Sequence, residues 1–336
     1  MKRILCFALA ALMLASLAAC GEKKPDSTES VTEKVTEAAP VTEEPTTEAT
    51  AEPTTARHEV ISLDFINDFD KTASIEEQEI YNKDGVTVTA KKLVYDTVSG
   101  PQIVLAVKND TDKTLMIQNA YTVVNGFMMK PVLDITAKPG KTVEEPMSLP
   151  YLGLAMASIH SLREIEFSLR ILDSTTYGVK DTTPEVRFNL TGGTKSEPTF
   201  DEDGQVVYDG KECKIVLKGI KRDTLFDSAN VVEVYMMNKT DKTIGIRNSK
   251  LTVNGYEITT AMETAILGEK RAVDVIELYD NELDEYGVTA LDTVDVAFEI
   301  NDYETWDKLA TTDTVSVEVP EIAAEEETAT ETATEK

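Results

Sequence analysis

Few side chains in this chain of 336 residues are of a type and spacing to do chemistry. Thiols occur at Cys6, Cys20 and Cys213, and the two imidazoles, His58 and His160, have no Cys or His cluster around them. A zinc site takes three or four such ligands, so the pattern argues against one. Cys213 opens the alternating run Cys213, Ile215, Leu217, which directs it inward as a small core thiol. A cysteine or serine nucleophile would also need a base, and no histidine lies near Cys213 in sequence. Carboxylates crowd three turns, "NDFD" at Asn67 to Asp70, "FDEDG" at Phe200 to Gly204 and "YDNELDE" at Tyr279 to Glu285. Hard cations such as Ca²⁺ favour such oxygen sets, yet none has the spacing of an EF-hand loop. On so acidic a chain they read as solvated loops. The expectation is no catalytic residue, no metal and no cofactor.

Cys20 is the exception. It closes "MKRILCFALAALMLASLAAC", in which two basic residues precede an apolar run from Ile4 to Leu17 and small residues follow. This is the pattern of a secretory signal. The run is shorter than the roughly 20 residues of a membrane-spanning helix. Leu17-Ala18-Ala19-Cys20 resembles the lipobox of bacterial lipoproteins, which implies diacylglyceryl transfer to the Cys20 thiol and cleavage that makes it the mature N-terminus. Each buried lipid CH₂ adds roughly 0.8 kcal/mol, and more than one acyl chain is needed for a lasting anchor. With Cys6 removed and Cys20 acylated, Cys213 has no partner for a disulfide, so a hydrophobic core must hold the fold.

Two further stretches lack the apolar residues a core requires. Residues 20–57 are Thr, Glu, Pro and Ala, as in "VTEEPTTEATAEPTTA", and residues 320–336 repeat that composition. Both are expected to be disordered spacers, the first held extended by proline and like charge. The net charge is −28, and about −20 of it falls on residues 58–320. So acidic a body repels phosphate backbones and anionic head groups, which excludes nucleic acid as a partner and stands the folded part off the membrane.

The elements that could position a site come twice. "NDTDKTLMIQNAYTVVNG" from Asn109 returns as "NKTDKTIGIRNSKLTVNG" from Asn238, and a shift of 129 residues aligns Asn109 to Leu190 with Asn238 to Val319 without a gap. Lys141 meets Lys270, Leu162 meets Leu291 and Asp173 meets Asp302. This is a tandem pair of one unit. Within each unit the apolar period is two: Val86, Val88, Ala90; Ile165, Phe167, Leu169, Ile171; Val294, Val296, Phe298, Ile300. That alternation predicts strands with one buried face. Asn125-Gly126 and Asn254-Gly255 predict two-residue hairpins of type I′. Seven or eight strands per unit, without βαβ alternation, predict an all-β chain of two tandem immunoglobulin-like β-sandwich domains. The first spans residues 58–190 with an N-terminal extension, the second 204–319, joined by a linker at 191–203. A short helical turn is expected around Leu149 to Ser158 and again around Leu278 to Tyr286. "HEVISLDFINDFDKTA", ahead of the first unit, fits an added strand or a docking helix.

The run DG-x-x-V, N-x-T-D-K, the V-N-G hairpin and an alternating strand ending in Asp173 or Asp302, with Tyr177 or Trp306 four residues on, resembles immunoglobulin-like repeats of lipoproteins from Gram-positive anaerobes. The resemblance covers roughly residues 76 to 319. It implies a surface lipoprotein and supplies no catalytic residues. Tyr177 and Trp306 read as core or rim aromatics, and the shared N-x-T-D-K-T segment as a turn that sets strand register. The expected role is non-enzymatic, in binding or assembly at the outer face of the membrane, with an envelope protein or wall polymer as partner. The alternative is a solute-binding or sensory lipoprotein, which requires a concave pocket between the two units.

Overall fold

The computed structural model describes residues 63–193, 199–222, 229–317 and 319; Cys6, Cys20, His58 and both spacers lie outside them. The described chain is all-β. After a helix α1 (Leu63–Asp68), the first half runs β1 (Gln78–Lys83), β2 (Val86–Asp96), β3 (Gly100–Asn109), β4 (Leu115–Val124), β5 (Phe127–Met129), β6 (Ile135–Ala137), β7 (Lys141–Ser148), α2 (Tyr151–Met156), β8 (Glu164–Asp173), β9 (Val179–Thr182) and β10 (Val186–Asn189). The second half repeats that order: β11 (Gln205–Asp209), β12 (Cys213–Arg222), β13 (Ala229–Asn238), β14 (Ile244–Val253), β15 (Tyr256–Glu257), β16 (Glu263–Ile266), β17 (Arg271–Tyr279), α3 (Asp280–Glu285), β18 (Val294–Asp302), β19 (Lys308–Thr311) and β20 (Val315–Val317). Both expected helical turns are present, as α2 and α3. The strands outnumber the expected seven or eight per half, because edge pieces of two to four residues such as β5, β15 and β19 are too short to show a period. No described helix is long and apolar enough to cross a membrane.

The repeat extends to irregularities. The register of β2 on β3 shifts between Ala90 and Lys92, and that of β12 on β13 between Leu217 and Gly219. The register of β4 on β8 shifts between Asn119 and Tyr121, and that of β14 on β18 between Asn248 and Lys250. Each bulge re-aims the side chains beyond it, so it must recur where the same core is to be filled.

Each half stacks two sheets over one apolar core. In the first, β1-β2-β3-β7 faces β10-β8-β4-β5. Val88, Ile103 and Leu105 from one sheet and Ile117, Phe167 and Leu169 from the other belong to a single buried cluster. In the second half Ile215, Val232 and Val234 meet Ile246, Val296 and Phe298. The expected alternation of buried and half-buried residues is present in β2, β3 and β17, whereas β8, β13 and β18 are buried on both faces along most of their length. Asn125 (φ 48°) with Gly126 (φ 84°), and Asn254 (φ 49°) with Gly255 (φ 83°), have the positive φ pair of a type I′ turn. The described part of the segment ahead of the first half is the helix α1, whose Phe65 packs edge-on against Tyr151 at 6.3 Å; beyond it Phe69 does the same at 5.4 Å, and Asp70 N donates to His160 O.

The halves belong to one compact unit and share a sheet. β5 of the first lies parallel to β17 of the second, so β10-β8-β4-β5 continues into β17-β13-β12-β11. Part of the expected linker packs down as well. Thr191 pairs with Ser74, Gly193 N donates to Thr72 Oγ1, and Phe200 is buried between Phe127 and Tyr235.

Candidate functional site

The residues that sequence chemistry singled out do not come together. Cys213 is fully buried at the head of β12, opposite Asn238, as its counterpart Val86 is opposite Asn109. Burial, aided by the neighbouring Glu212 carboxylate, pushes its thiol up to about 12, which leaves negligible thiolate at neutral pH. His160 is exposed, its ring 4.8 Å from that of Phe65. The acidic turns are tied up locally. Asp70 accepts from Thr72 N, Asp201 faces Lys218, Glu202 accepts from Lys214 and Tyr235, and Glu282 accepts from Thr259 and Thr260. Among the described residues no group of three or more Cys, His, Asp or Glu is placed to hold a metal ion.

The N-x-T-D-K-T segment is a turn built on a buried amide. Asn109 Nδ2 donates to Lys113 O (2.7 Å) and Ala137 O (2.8 Å), and its Oδ1 accepts from Thr111 N and Oγ1. Asn238 repeats this with Lys242 O, Ile266 O and Thr240. Of the core and rim positions expected for them, Tyr177 and Trp306 are not in the core, being 66% and 57% exposed. The cause is local. Asp173 Oδ1 accepts from Thr175 N and Thr176 N, and Asp302 Oδ1 from Glu304 N and Thr305 N. These turns leave the aromatic at φ 54° and 61°, past the end of the alternating strand.

A concave feature arises where the halves join. Arg271 N donates to Gly126 O at 3.0 Å, and the Arg271 guanidinium lies 4.1 Å from the Phe127 ring centroid. Phe127, Phe200 and Tyr235 follow in contact, at 5.1 and 4.9 Å between centroids. On one flank, buried Glu166 of β8 accepts from Lys270 Nζ (2.6 Å) and Arg187 Nη2 (2.9 Å). Burial drives the Glu166 carboxyl up, but hydrogen bonding and charge from Lys270, with Arg187 behind them, outweigh it and hold its pKa below the usual carboxylate value. On the other flank Lys130 Nζ donates to Asp274 Oδ2 at 2.6 Å.

β5 and β17 share one ladder position, Phe127 with Arg271, and then diverge. Their divergence opens a cleft of about 480 Å³. Met128 and Met129 form one wall, Ala272 to Val275 the other, and Leu152 and Met156 of α2 cover an end. Tyr121 and Tyr303 add aromatic residues to the lining, and Tyr303 is 43% exposed. Apolar walls with few polar groups, at this volume, are what a small-molecule site requires.

Single-residue chemistry did not point to this cleft, but a comparison of the two repeats does. "FMM" at Phe127 aligns with "YEI" at Tyr256, Tyr235 with Ala106, Met237 with Lys108, and Arg271 with Thr142. At Met128 against Glu257 and Met237 against Lys108 one copy is apolar and its twin charged, and in both the methionine packs on the core of the other half. No protein-family model matches the chain, and no curated protein matches its sequence.

Proposed function

We propose that this chain is a non-enzymatic binding lipoprotein, anchored through Cys20 to the outer face of a bacterial membrane, that holds a small, mainly apolar solute between two immunoglobulin-like units. The observation that carries the reading is the cleft of about 480 Å³ at the junction of β5, β17 and α2. The solute-binding alternative requires a pocket in that place, and the lipobox and acidic spacer supply a tether that holds it clear of the bilayer. Docking of the halves favours the same reading, because a site built from two halves keeps its shape only if they are held in register. The test uses the full chain with Cys20→Ala and the neutral apolar fluorophore N-phenyl-1-naphthylamine. One saturable site per chain is expected, lost in Ala265→Trp, which fills the cleft from a half-buried lining position. Unsaturable fluorescence, or binding that Ala265→Trp leaves unchanged, would remove the solute reading.

Contact with a wall polymer or envelope protein is the second reading. It is favoured by Tyr177 and Trp306, exposed in matching turns of the two halves. Crosslinking on intact cells distinguishes it: one reproducible partner complex that survives Ala265→Trp would place the function on the outer surface.

A further inference from the structure

We propose that the cleft selects an amine, an apolar body carrying one ammonium group, with Asp274 as its acceptor; this rests on the solute-binding reading above. Asp274 is 8% exposed and lies on the β17 wall between Val273 and Val275. An ionised carboxylate offers about four acceptor positions. Three are in use: Oδ2 accepts from Lys130 Nζ and Thr264 Oγ1, and Oδ1 from Val275 N. The Lys130 partner is weakly committed, since its side chain is 75% exposed and tethered from the far wall. An exposed lysine gains little from such a pair, whereas a buried carboxylate cannot be left bare. An incoming ammonium can therefore take the place of Lys130, which swings into water, and Asp274 keeps a cationic partner.

The rest of the lining has the same sign preference. Its charged groups are Asp274 and Glu263 against Lys130 alone, and displacement of Lys130 leaves two carboxylates. Tyr121 and Tyr303 line the cleft, and the face of an aromatic ring attracts an ammonium and not a carboxylate. The Tyr121 hydroxyl is already donated to Glu185, so it is the ring that remains for a ligand. Beyond the cleft, the net charge of −28 raises the local concentration of cations and lowers that of anions. The walls of Met128, Met129, Leu152 and Met156 take the apolar body, and methionine walls adapt to more than one shape.

The experiment is calorimetric titration of the full Cys20→Ala chain with octylamine, 1-octanol and octanoate, which share a body and differ in head group. Octylamine should bind best, about tenfold or more tighter than octanoate. Asp274→Asn should erase that ratio while 1-octanol binding persists, Lys130→Ala should tighten octylamine by removing its competitor, and Ala265→Trp should abolish all three. Octanoate binding as well as octylamine, or a ratio that survives Asp274→Asn, would overturn the amine assignment and leave the cleft reading standing. Failure of all three to bind, or binding indifferent to Ala265→Trp, would overturn both.

Discussion

Asn109 and Asn238 show how much a single amide can hold. Both are fully buried, Asn109 donates to two carbonyls and Asn238 to three, and both accept from the threonine two residues on. The carbonyls they satisfy come from the turn and from β6 or β16, which pair with β4 or β14, so each side chain ties β3 or β13 to the opposite sheet. Asn109→Asp keeps the size and the acceptor oxygens but removes the donors and buries a charge, while Asn109→Ala removes donors, acceptor and volume. Each is expected to cost about 2–4 kcal/mol, with the Asp form no milder than the Ala form. Urea denaturation checks this; an Asp form as stable as the parent would show that the donors are dispensable. The motif was legible in the sequence as a repeated turn, because Asn and Asp announce turns. Its burial was not, since nothing local distinguishes a solvated asparagine from one whose four hydrogen bonds all point inward. The same limit applies to Tyr177 and Trp306. Alternation ends at Asp173 and Asp302, and beyond it only the turn geometry decides that an aromatic faces water.

At the scale of elements, hairpins and their clamps do what the sequence pattern implied, with an added duty. Asn125 takes positive φ, and its side chain also accepts from Arg163 N and Glu164 N and donates to Ser161 O, pinning the entry to β8. Asn254 does the same at the entry to β18, through Asp292, Thr293 and Ala290. Other cross-strand ties belong to one half only. Glu299 of β18 lies between Arg247 of β14 (2.6 Å) and Lys308 of β19 (2.5 Å), whereas the aligned residue in the first half is Arg170. Hydrogen bonds from Lys308, then Arg247 and Asn301, bring the Glu299 carboxyl down to about 2 from an ordinary 4.5. A group whose pKa is lower in the folded state stabilises the fold above its unfolded pKa and loses that contribution as pH falls through the folded value. The second half should therefore weaken between about pH 4.5 and pH 2. The single tryptophan, Trp306, reports this half by fluorescence. Its denaturation midpoint should drop between pH 7 and pH 3 in the parent, and by less in Glu299→Gln. Equal drops in the two proteins would assign the acid sensitivity elsewhere.

For the whole molecule, the tandem organisation could be read from one alignment of the chain with itself, but the docking of the halves could not, because periodicity reports which face of a strand is buried and not what buries it. The information lay in the mismatches. The internal interface uses Phe127, Met128, Tyr235 and Arg271, and the aligned residues, which take no part in it, are Tyr256, Glu257, Ala106 and Thr142. Tyr256 is 46% exposed and stacks on Tyr286, and β7, the counterpart of β17, ends its sheet with exposed Glu144 and Glu145. Charged residues on free edges oppose a third strand, so the joint that forms once within the chain is discouraged from forming again between chains. This comparison supplies its own experiment, because the second hairpin is a sequence known to make the same turn without docking. Grafting it onto the first, with Phe127→Tyr, Met128→Glu and Met129→Ile, should leave both halves folded and remove the apolar part of the joint. The change is expected to weaken docking by about 2–4 kcal/mol. The parent should unfold in one cooperative transition and the graft in two, with a larger radius of gyration by small-angle X-ray scattering and no N-phenyl-1-naphthylamine site. A graft that keeps one transition and the parent radius would mean that Glu166, Lys270 and the Phe200 contact hold the halves without the hairpin, and the cleft would then owe its shape to them.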